Sequence, residues 1–174
     1  MIFSLISKIT LVLLFIVLLF NPVNIQAQEV QQATSSGNAS LFESFWPLSA
    51  GKTIDDSLYF LKIWKENLRG VLIFGVPQKA EYAIFLGTKR VLEAEKLIQT
   101  GKKDLAEQTL KKAFEQFDLA EKNIDESKDK KQPLGNSLST IKPRITNLVN
   151  FLPVINSQTS EKVLQKVRSI QGKI

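Results

Sequence analysis

Two residue types that carry much of enzyme chemistry are missing from this chain of 174 residues, which contains no cysteine and no histidine. Without cysteine the fold has no disulfide bond and must be stabilised by the burial of apolar side chains. Without histidine it lacks the most common general base and the most common metal ligand, and thiol chemistry is excluded as well. We therefore expect a protein that is not an enzyme and that carries no metal or other cofactor.

Charge is nearly absent from the beginning of the chain. The first 28 residues contain one charge, Lys8, followed by the unbroken apolar run Leu11–Phe20 and by Asn21 and Pro22, which end a helix. This order, with Ala27 at a cleavage site, is typical of a secretory signal peptide. The alternative is a retained N-terminal membrane anchor, because about twenty mostly apolar residues can span a bilayer. Residues 1–27 therefore predict an extracytoplasmic protein, secreted or tethered to the membrane.

Residues 28–50 are predicted to be a flexible tether that carries an aromatic cluster. The stretch QEVQQATSSGNAS has too little apolar surface to offset the entropy of ordering it. Phe42, Phe45 and Trp46 follow, and we expect them to fold back over an apolar groove or to lie in a membrane interface. Together with Trp64, these aromatic residues form the predicted interaction surface.

Residues 51–127 show apolar residues at three- and four-residue steps, which predicts a core of three helices. The first helix ends near Gly75, and its apolar face contains Leu58, Leu61, Trp64, Leu68 and Leu72. The second begins at Pro77, ends before Gly101 and carries Ala80, Ile84, Gly87, Val91, Ala94 and Ile98. The third carries Ala106, Leu110, Ala113, Phe117, Ala120 and Ile124.

The second and third helices predict an antiparallel hairpin that turns at Gly101. Facing residues then have numbers that sum to about 204, so that Gly87 faces Phe117 and Ala94 faces Leu110. Nearly every such pair sets a small residue against a large one, as close helix packing requires. We predict an all-α fold, a small helical bundle with a central antiparallel helical hairpin.

Residues 128–174 are predicted to be a linker and a basic amphipathic helical extension. From Gln132 onward there are six Lys or Arg and one Glu. Val163, Val167, Ile170 and Ile174 form one apolar stripe, and the cations Lys162, Lys166, Arg168 and Lys173 lie largely off it. This helix either packs weakly on the bundle with its lysines in water or lies on an anionic membrane or cell-wall polymer.

The segment SAGKT, Ser49 to Thr53, is similar to the end of a phosphate-binding loop, but the loop is incomplete. That loop needs a glycine five residues before Gly51, where this chain has Trp46, and no strand precedes it. We expect Gly51 to form a turn and Thr53 or Asp55 to cap the first helix. Glu107 with Lys111 and Glu126 with Lys130 have the spacing of surface ion pairs. No catalytic or nucleic-acid site is predicted.

One family resemblance covers residues 56–120. It rests on Ser57, Leu58, Tyr59, Leu61 and Lys62, then on Lys89, Arg90, Glu93, Ala94 and Glu95, and on Gly101. With these motifs the segment resembles the bacterial domain of unknown function 5667. The proline of the family's first motif is missing, and Gly87 and Thr88 replace its usual Ala-Glu pair. The resemblance implies an exported or membrane-attached helical domain with no established activity.

These observations predict a non-catalytic helical module, exported or membrane-tethered. Its expected role is contact with another protein or with itself, or a structural role in the cell envelope. The alternative is binding of anionic lipid or cell-wall polymer through Lys162, Lys166, Arg168 and Lys173.

Overall fold

The computed structural model describes Phe45 and residues 48–174, which belong to one compact unit of five α-helices without strands. The helices are α1 (Tyr59–Val71), α2 (Val76–Gln99), α3 (Lys103–Asp129), α4 (Ser137–Phe151) and α5 (Gln158–Lys173). A short 3-10 turn, Leu152–Val154, joins α4 to α5. The predicted all-α fold is confirmed. The predicted signal peptide or anchor, and most of the tether, lie outside the described residues.

Within this described part of the chain, no helix is both long enough and apolar enough to cross a membrane.

The central hairpin is formed by α2 and α3, which make the most extensive helix contact in the unit. Gly101 turns the chain with a φ of +76°, and the N–H of Lys102 donates to the carbonyl of Leu97 at 2.8 Å. A Cβ atom placed on Gly87 would lie 2.8 Å from the ring of Phe117. The predicted register is confirmed at this pair, because only glycine lets the two helices approach so closely.

The core is completed by α4 and α5 rather than by α1. Fully buried side chains come from the hairpin and from both later helices; those of α4 and α5 include Ile141, Ile145, Leu148, Val163, Val167 and Ile170. The start of α5 is fixed by Ser157 and Ser160, each of whose hydroxyls accepts a hydrogen bond from the other's backbone N–H. The predicted extension is therefore part of the bundle, because its apolar stripe packs on α3 and α4.

The first helix differs most from the prediction, because its apolar face points into solvent. Only Tyr59 and Glu66 of α1 are buried. The predicted core residues Leu58, Leu61, Trp64, Leu68 and Leu72 are all exposed. The expected three-helix core over residues 51–127 is thus replaced by a four-helix core, α2 to α5, with α1 on its outside.

The beginning of α1 also differs in detail. The carboxylate of Asp56 accepts the N–H of Leu58 at 2.8 Å, just before the helix starts. Thr53 instead donates to Asp55, and Asp55 forms an ion pair with Lys102. The expected cap from Thr53 or Asp55 is therefore wrong, because both side chains are used to fix the preceding turn.

Candidate functional site

A buried network of charges attaches α1 to α2. Glu66 of α1 pairs with Arg90 and, at 3.0 Å, with Lys89 of α2. Glu93 of α2 pairs with Arg90 at 2.7 Å and with Lys62 of α1. Glu93 is 0% exposed. Because an unpaired buried charge is very costly, these partners determine which side of α1 faces the bundle.

Tyr59 closes this network on one side. Its hydroxyl lies 3.5 Å from Glu93, and the cations of Lys62, Arg90 and Lys112 lie 5.3, 5.8 and 5.4 Å from its ring centroid. Burial raises the pKa of Tyr59 to about 12, so the phenol is neutral at physiological pH. Burial also lowers the pKa of Lys62, although its hydrogen bond to Glu93 acts in the opposite direction.

The SAGKT segment is bound through its carbonyl oxygens. Lys62 donates to the carbonyls of Ala50 at 3.3 Å and Lys52 at 2.7 Å, and Lys96 donates to that of Gly51 at 3.1 Å. A phosphate-binding loop offers backbone N–H groups to an anion, whereas this segment offers acceptors to lysines. Its own Lys52 pairs with Asp56 at 2.9 Å. The geometry therefore gives this segment a structural role.

The network positions α1 against α2. Its two carboxylates are each held in ion pairs, and they share three cations. Across Phe45 and residues 48–174, no three acidic side chains are grouped so as to hold a metal ion. What the network does is turn the polar side of α1 inward, and this leaves the apolar side outward.

The outward apolar side of α1 is the candidate functional site. We define the α1 face as Phe60, Leu61, Trp64, Leu68, Val71, Leu72 and, in the following loop, Phe74. Phe60 is 64% exposed, Trp64 60%, and Phe74 81%. Aromatic side chains each have about 150–250 Å² of surface, so these three alone expose roughly 400 Å². With its aliphatic members, the α1 face exceeds the apolar patches of a few hundred Å² that monomers usually expose.

The predicted interaction surface is only partly present at this face. Trp64 belongs to the α1 face, as expected for a contact residue. Phe45 does not, because it is 5% exposed and packs edge-on against Phe151, with ring centroids 5.7 Å apart. The assignment of Phe45 to an interaction surface is therefore wrong, since its ring fills the core beside the end of α4. Phe42 and Trp46 lie outside the described residues.

The predicted basic surface of α5 is also reduced. Lys166 pairs with Asp118 at 3.0 Å and Glu121 at 2.7 Å, and Lys173 pairs with Glu121 at 2.9 Å and Asp125 at 2.6 Å. These carboxylates all belong to α3, and we call this set of ion pairs the α3–α5 clasp. Lys166 and Lys173 therefore hold the helix on the bundle instead of facing an external anion.

The remaining two cations of that prediction, Lys162 and Arg168, are exposed on α5. These two surface cations, without Lys166 and Lys173, do not form the set of four cations that the sequence predicted to contact an anionic surface. Lys166 and Lys173 are paired because α3 presents carboxylates one helical turn apart at the positions that α5 packs against.

Sequence reasoning missed the inward side of α1. The chain contains one carboxylate between Ser57 and Phe74, which is Glu66, and it shares a helix side with Tyr59 and Lys62. Spacings of three and four residues from Tyr59 to Lys62 to Glu66 describe a polar stripe. That stripe, read with Lys89, Arg90 and Glu93 on α2, was the available signal for a polar interface.

Comparison with protein families extends the resemblance along the chain. The family described as Domain of unknown function (DUF5667) matches residues 51–170, from the loop before α1 into α5. All residues of the α1–α2 charge network and of the α1 face fall within this range. No curated protein and no solved structure matches the chain.

Proposed function

The chain belongs to the DUF5667 family, and we propose that it is a non-catalytic helical module, exported or membrane-tethered, that docks on a membrane interface through the α1 face. The observation that carries the proposal is the orientation of α1. Buried ion pairs hold its polar side against α2, and its apolar side is left without a partner among the described residues. Exposing so much apolar surface is costly for a protein in water unless another surface covers it.

The charges around the α1 face favour a lipid surface. The one carboxylate between Ser57 and Phe74 is Glu66, and it is buried by its ion pairs. Lys65 and Arg69 are exposed beside the apolar side chains. An apolar face with basic residues at its border is typical of helices that lie in the interface of anionic membranes.

The residue types of the face support the same occupant. Tryptophan is enriched at the level of the lipid headgroups, and Trp64 lies at the middle of the α1 face. Phe74 in the loop after α1 is the most exposed large apolar side chain of the described residues. The predicted signal or anchor segment, with its apolar run Leu11–Phe20, would bring the module to a membrane.

A second copy of the chain fits this surface less well. If two α1 faces packed antiparallel about a two-fold axis, Lys65 and Arg69 of both copies would meet at one seam without a facing carboxylate. The chain carries a net charge of +6, which further opposes self-association. The alternative of anion binding by α5 receives less support, because Lys166 and Lys173 are already paired.

The test uses tryptophan fluorescence in the full-length chain. The chain has two tryptophans, so Trp46→Phe leaves Trp64 as the only reporter. The protein is incorporated into vesicles of phosphatidylcholine and phosphatidylglycerol that contain lipids brominated at known acyl depths. We expect the emission of Trp64 to shift to shorter wavelength and to be quenched most strongly by the shallowest bromines, since interfacial helices insert only about 5–10 Å.

A matched control moves the reporter to an exposed position on α5. In the background Trp46→Phe and Trp64→Phe, the substitution Gln165→Trp should give an emission like that in water and little quenching. If Trp64 is quenched no more than this control, the α1 face does not dock on the bilayer. A disulfide-linked dimer formed by Trp64→Cys in the same vesicles would assign the face to a second copy and contradict the proposal, since the chain has no other cysteine.

A further inference from the structure

An open cavity of about 390 Å³ adjoins the α1 face. It lies where α1, α2 and α4 meet, and the side chains that matter for its chemistry are Arg69, Phe74, Tyr82, Phe85 and Arg144. Two guanidinium groups thus line one cavity whose edge is the most exposed phenylalanine of the α1 face. The cavity is distinct from the charge network, because neither arginine takes part in it.

Aromatic rings hold these two arginines in place. The guanidinium carbon of Arg69 lies 5.5 Å from the ring centroid of Tyr82 and 5.9 Å from that of Phe85. The guanidinium carbon of Arg144 lies 5.6 Å from the same Phe85 ring. A ring face attracts a cation but does not neutralise its charge, so the N–H donors stay available to an anion.

Neither arginine forms a direct ion pair in the described part of the chain. The ion pairs there involve Arg90 and several lysines, whereas Arg69 and Arg144 form none. Burial lowers the pKa of Arg144, and the field of Glu81, a carboxylate that also lines the cavity, opposes this effect. With two guanidinium groups and one carboxylate, the cavity carries a net positive charge. This charge attracts anions to the cavity.

We propose that this cavity, defined by Arg69 and Arg144 around Phe85, binds the phosphate of an anionic lipid headgroup. The proposal rests on the proposed membrane docking of the α1 face and names the lipid chemistry that the face selects. Guanidinium groups suit phosphate because their paired N–H donors match its oxygens, and a lysine cannot reproduce this geometry.

The position of the cavity favours a lipid over free phosphate. Phe74 and Ile73 form part of its wall, and Phe74 is 81% exposed. When the α1 face enters the interface, Phe74 lies at the depth of the upper acyl chains, and a phosphate beside it then lies at headgroup level. A soluble anion would gain the charge contact but would leave the adjacent apolar surface in water.

The experiment measures how Trp64 quenching depends on the phosphatidylglycerol content of the vesicles. In the Trp46→Phe background, we expect quenching to increase as phosphatidylglycerol replaces phosphatidylcholine. The double variant Arg69→Gln and Arg144→Gln should weaken the docking equilibrium on anionic vesicles by about thirtyfold, because each basic residue near such a surface contributes about fivefold. On pure phosphatidylcholine the same variant should behave like the parent.

Two further double variants distinguish binding at this cavity from attraction by overall charge. Lys162→Gln with Arg168→Gln removes the same charge from α5 and should leave the phosphatidylglycerol dependence unchanged. Arg69→Lys with Arg144→Lys keeps the charge and should still lose most of the preference, because the paired donors are gone. Thermal unfolding of each variant verifies that the fold is retained, as we expect for arginines without ion pairs.

Several outcomes would overturn the proposal. If the arginine-to-glutamine variant and the α5 variant lose the phosphatidylglycerol dependence equally, the vesicles attract the protein by its overall charge. The same conclusion would follow if the arginine-to-lysine variant kept the full dependence. If added inorganic phosphate abolishes the dependence of Trp64 quenching on phosphatidylglycerol, the cavity binds a soluble anion as well as it binds the lipid. If Trp64 is quenched equally in both lipids, the α1 face docks but the cavity does not select an anionic headgroup, since phosphatidylcholine carries a phosphate as well. The absence of any quenching would instead contradict the proposed function itself.

Discussion

At the scale of single residues, Gly87 determines how closely α2 and α3 can pack. A Cβ atom at this position would lie 2.8 Å from two ring carbons of Phe117, and Phe117 is fully buried. A glycine in a helix interior costs about 1 kcal/mol relative to alanine. The chain accepts that cost because the ring of Phe117 occupies the space that a methyl group would need.

The first prediction concerns Gly87→Ala. We expect a net loss of about 1–2 kcal/mol in the free energy of unfolding, because overpacking costs about 1–3 kcal/mol and the gain in helix propensity offsets only part of it. Urea unfolding followed by circular dichroism measures the change. In a Phe117→Leu background the same substitution should cost less, since the smaller side chain leaves room for the methyl group.

Gly172 provides the matched control for this prediction. It lies near the end of α5, and no neighbouring atom lies within 4 Å of a Cβ atom placed on it. Gly172→Ala should therefore be neutral or slightly stabilising, by up to about 1 kcal/mol from propensity. If Gly87→Ala stabilises the protein as Gly172→Ala does, the close approach of Phe117 is not present in solution.

At the scale of helices, the α3–α5 clasp joins two helices of the core through ion pairs. Burial by itself raises the pKa of Glu121, but hydrogen bonds from Lys166, Ser169 and Lys173 lower it to about 2. The pKa of Lys166 is raised, first by its hydrogen bond to Glu121. A carboxyl whose pKa is lower in the folded than in the unfolded chain stabilises the fold at pH values above both.

The second prediction follows from the lowered pKa of Glu121 in the folded chain. At neutral pH, Glu121→Gln should lower the free energy of unfolding by about 1 kcal/mol, the size of a partly screened ion pair. The difference between parent and variant should shrink as the pH falls from about 4.5, the ordinary pKa of glutamate, towards about 2. Thermal unfolding over this pH range measures the difference.

Glu126 serves as the comparison for Glu121. It pairs at 2.6 Å with Lys130 on an exposed side of α3, where solvent screens the attraction. Glu126→Gln should therefore have a smaller effect at neutral pH than Glu121→Gln. A difference between parent and Glu121→Gln that stays constant from pH 6 to pH 2 would mean that the clasp does not stabilise the fold through its ionised carboxylate.

The helices differ in how much of them the sequence predicts. The hairpin register follows from one local rule, because small and large residues alternate along both α2 and α3 and a glycine marks the turn. The apolar periodicity of α1 predicts a helix equally well, but it does not tell which side faces the bundle. That side is set by Glu66 and Lys62, whose partners Arg90 and Glu93 lie 24 and 31 residues further along the chain.

The same limit applies to the two candidate surfaces. Periodicity places Lys162, Lys166, Arg168 and Lys173 off the apolar stripe of α5, yet it cannot show that α3 carries the matching carboxylates. Lys166 and Lys173 are seven residues apart, as are Asp118 and Asp125, so the complementary spacing is present in the sequence. Its meaning depends on which helices are neighbours, and only the tertiary structure supplies that information.

At the scale of the whole molecule, the bundle divides into a closed core and an attached helix. Helices α2 to α5 bury their apolar side chains against one another, whereas α1 is attached mainly through its polar side. The surface that α1 presents is therefore separable from the stability of the core. Substitutions in the α1 face should change docking without unfolding the protein, which makes the proposed function open to a direct test.

The last prediction concerns α5, which the sequence placed in an extension and the structure places in the core. Val163, Val167 and Ile170 are each fully buried, and burying one such side chain contributes about 1.5–3 kcal/mol. Together they contribute about 5 kcal/mol or more, which is comparable to the whole stability of a typical domain. A chain that ends at Asn156 should therefore lose its cooperative thermal transition and bind a dye that reports exposed apolar surface.

The matched control removes charge from α5 without removing its apolar stripe. Lys162→Gln with Arg168→Gln should unfold cooperatively at nearly the parent temperature, because both side chains are exposed and lie outside the α3–α5 clasp. A chain ending at Asn156 that still unfolds in one sharp transition would mean that α2, α3 and α4 close a core without α5. In that case the buried stripe of α5 would only cover a surface that is already stable, and the predicted extension would be limited to residues 157–174, because α4 lies within the core.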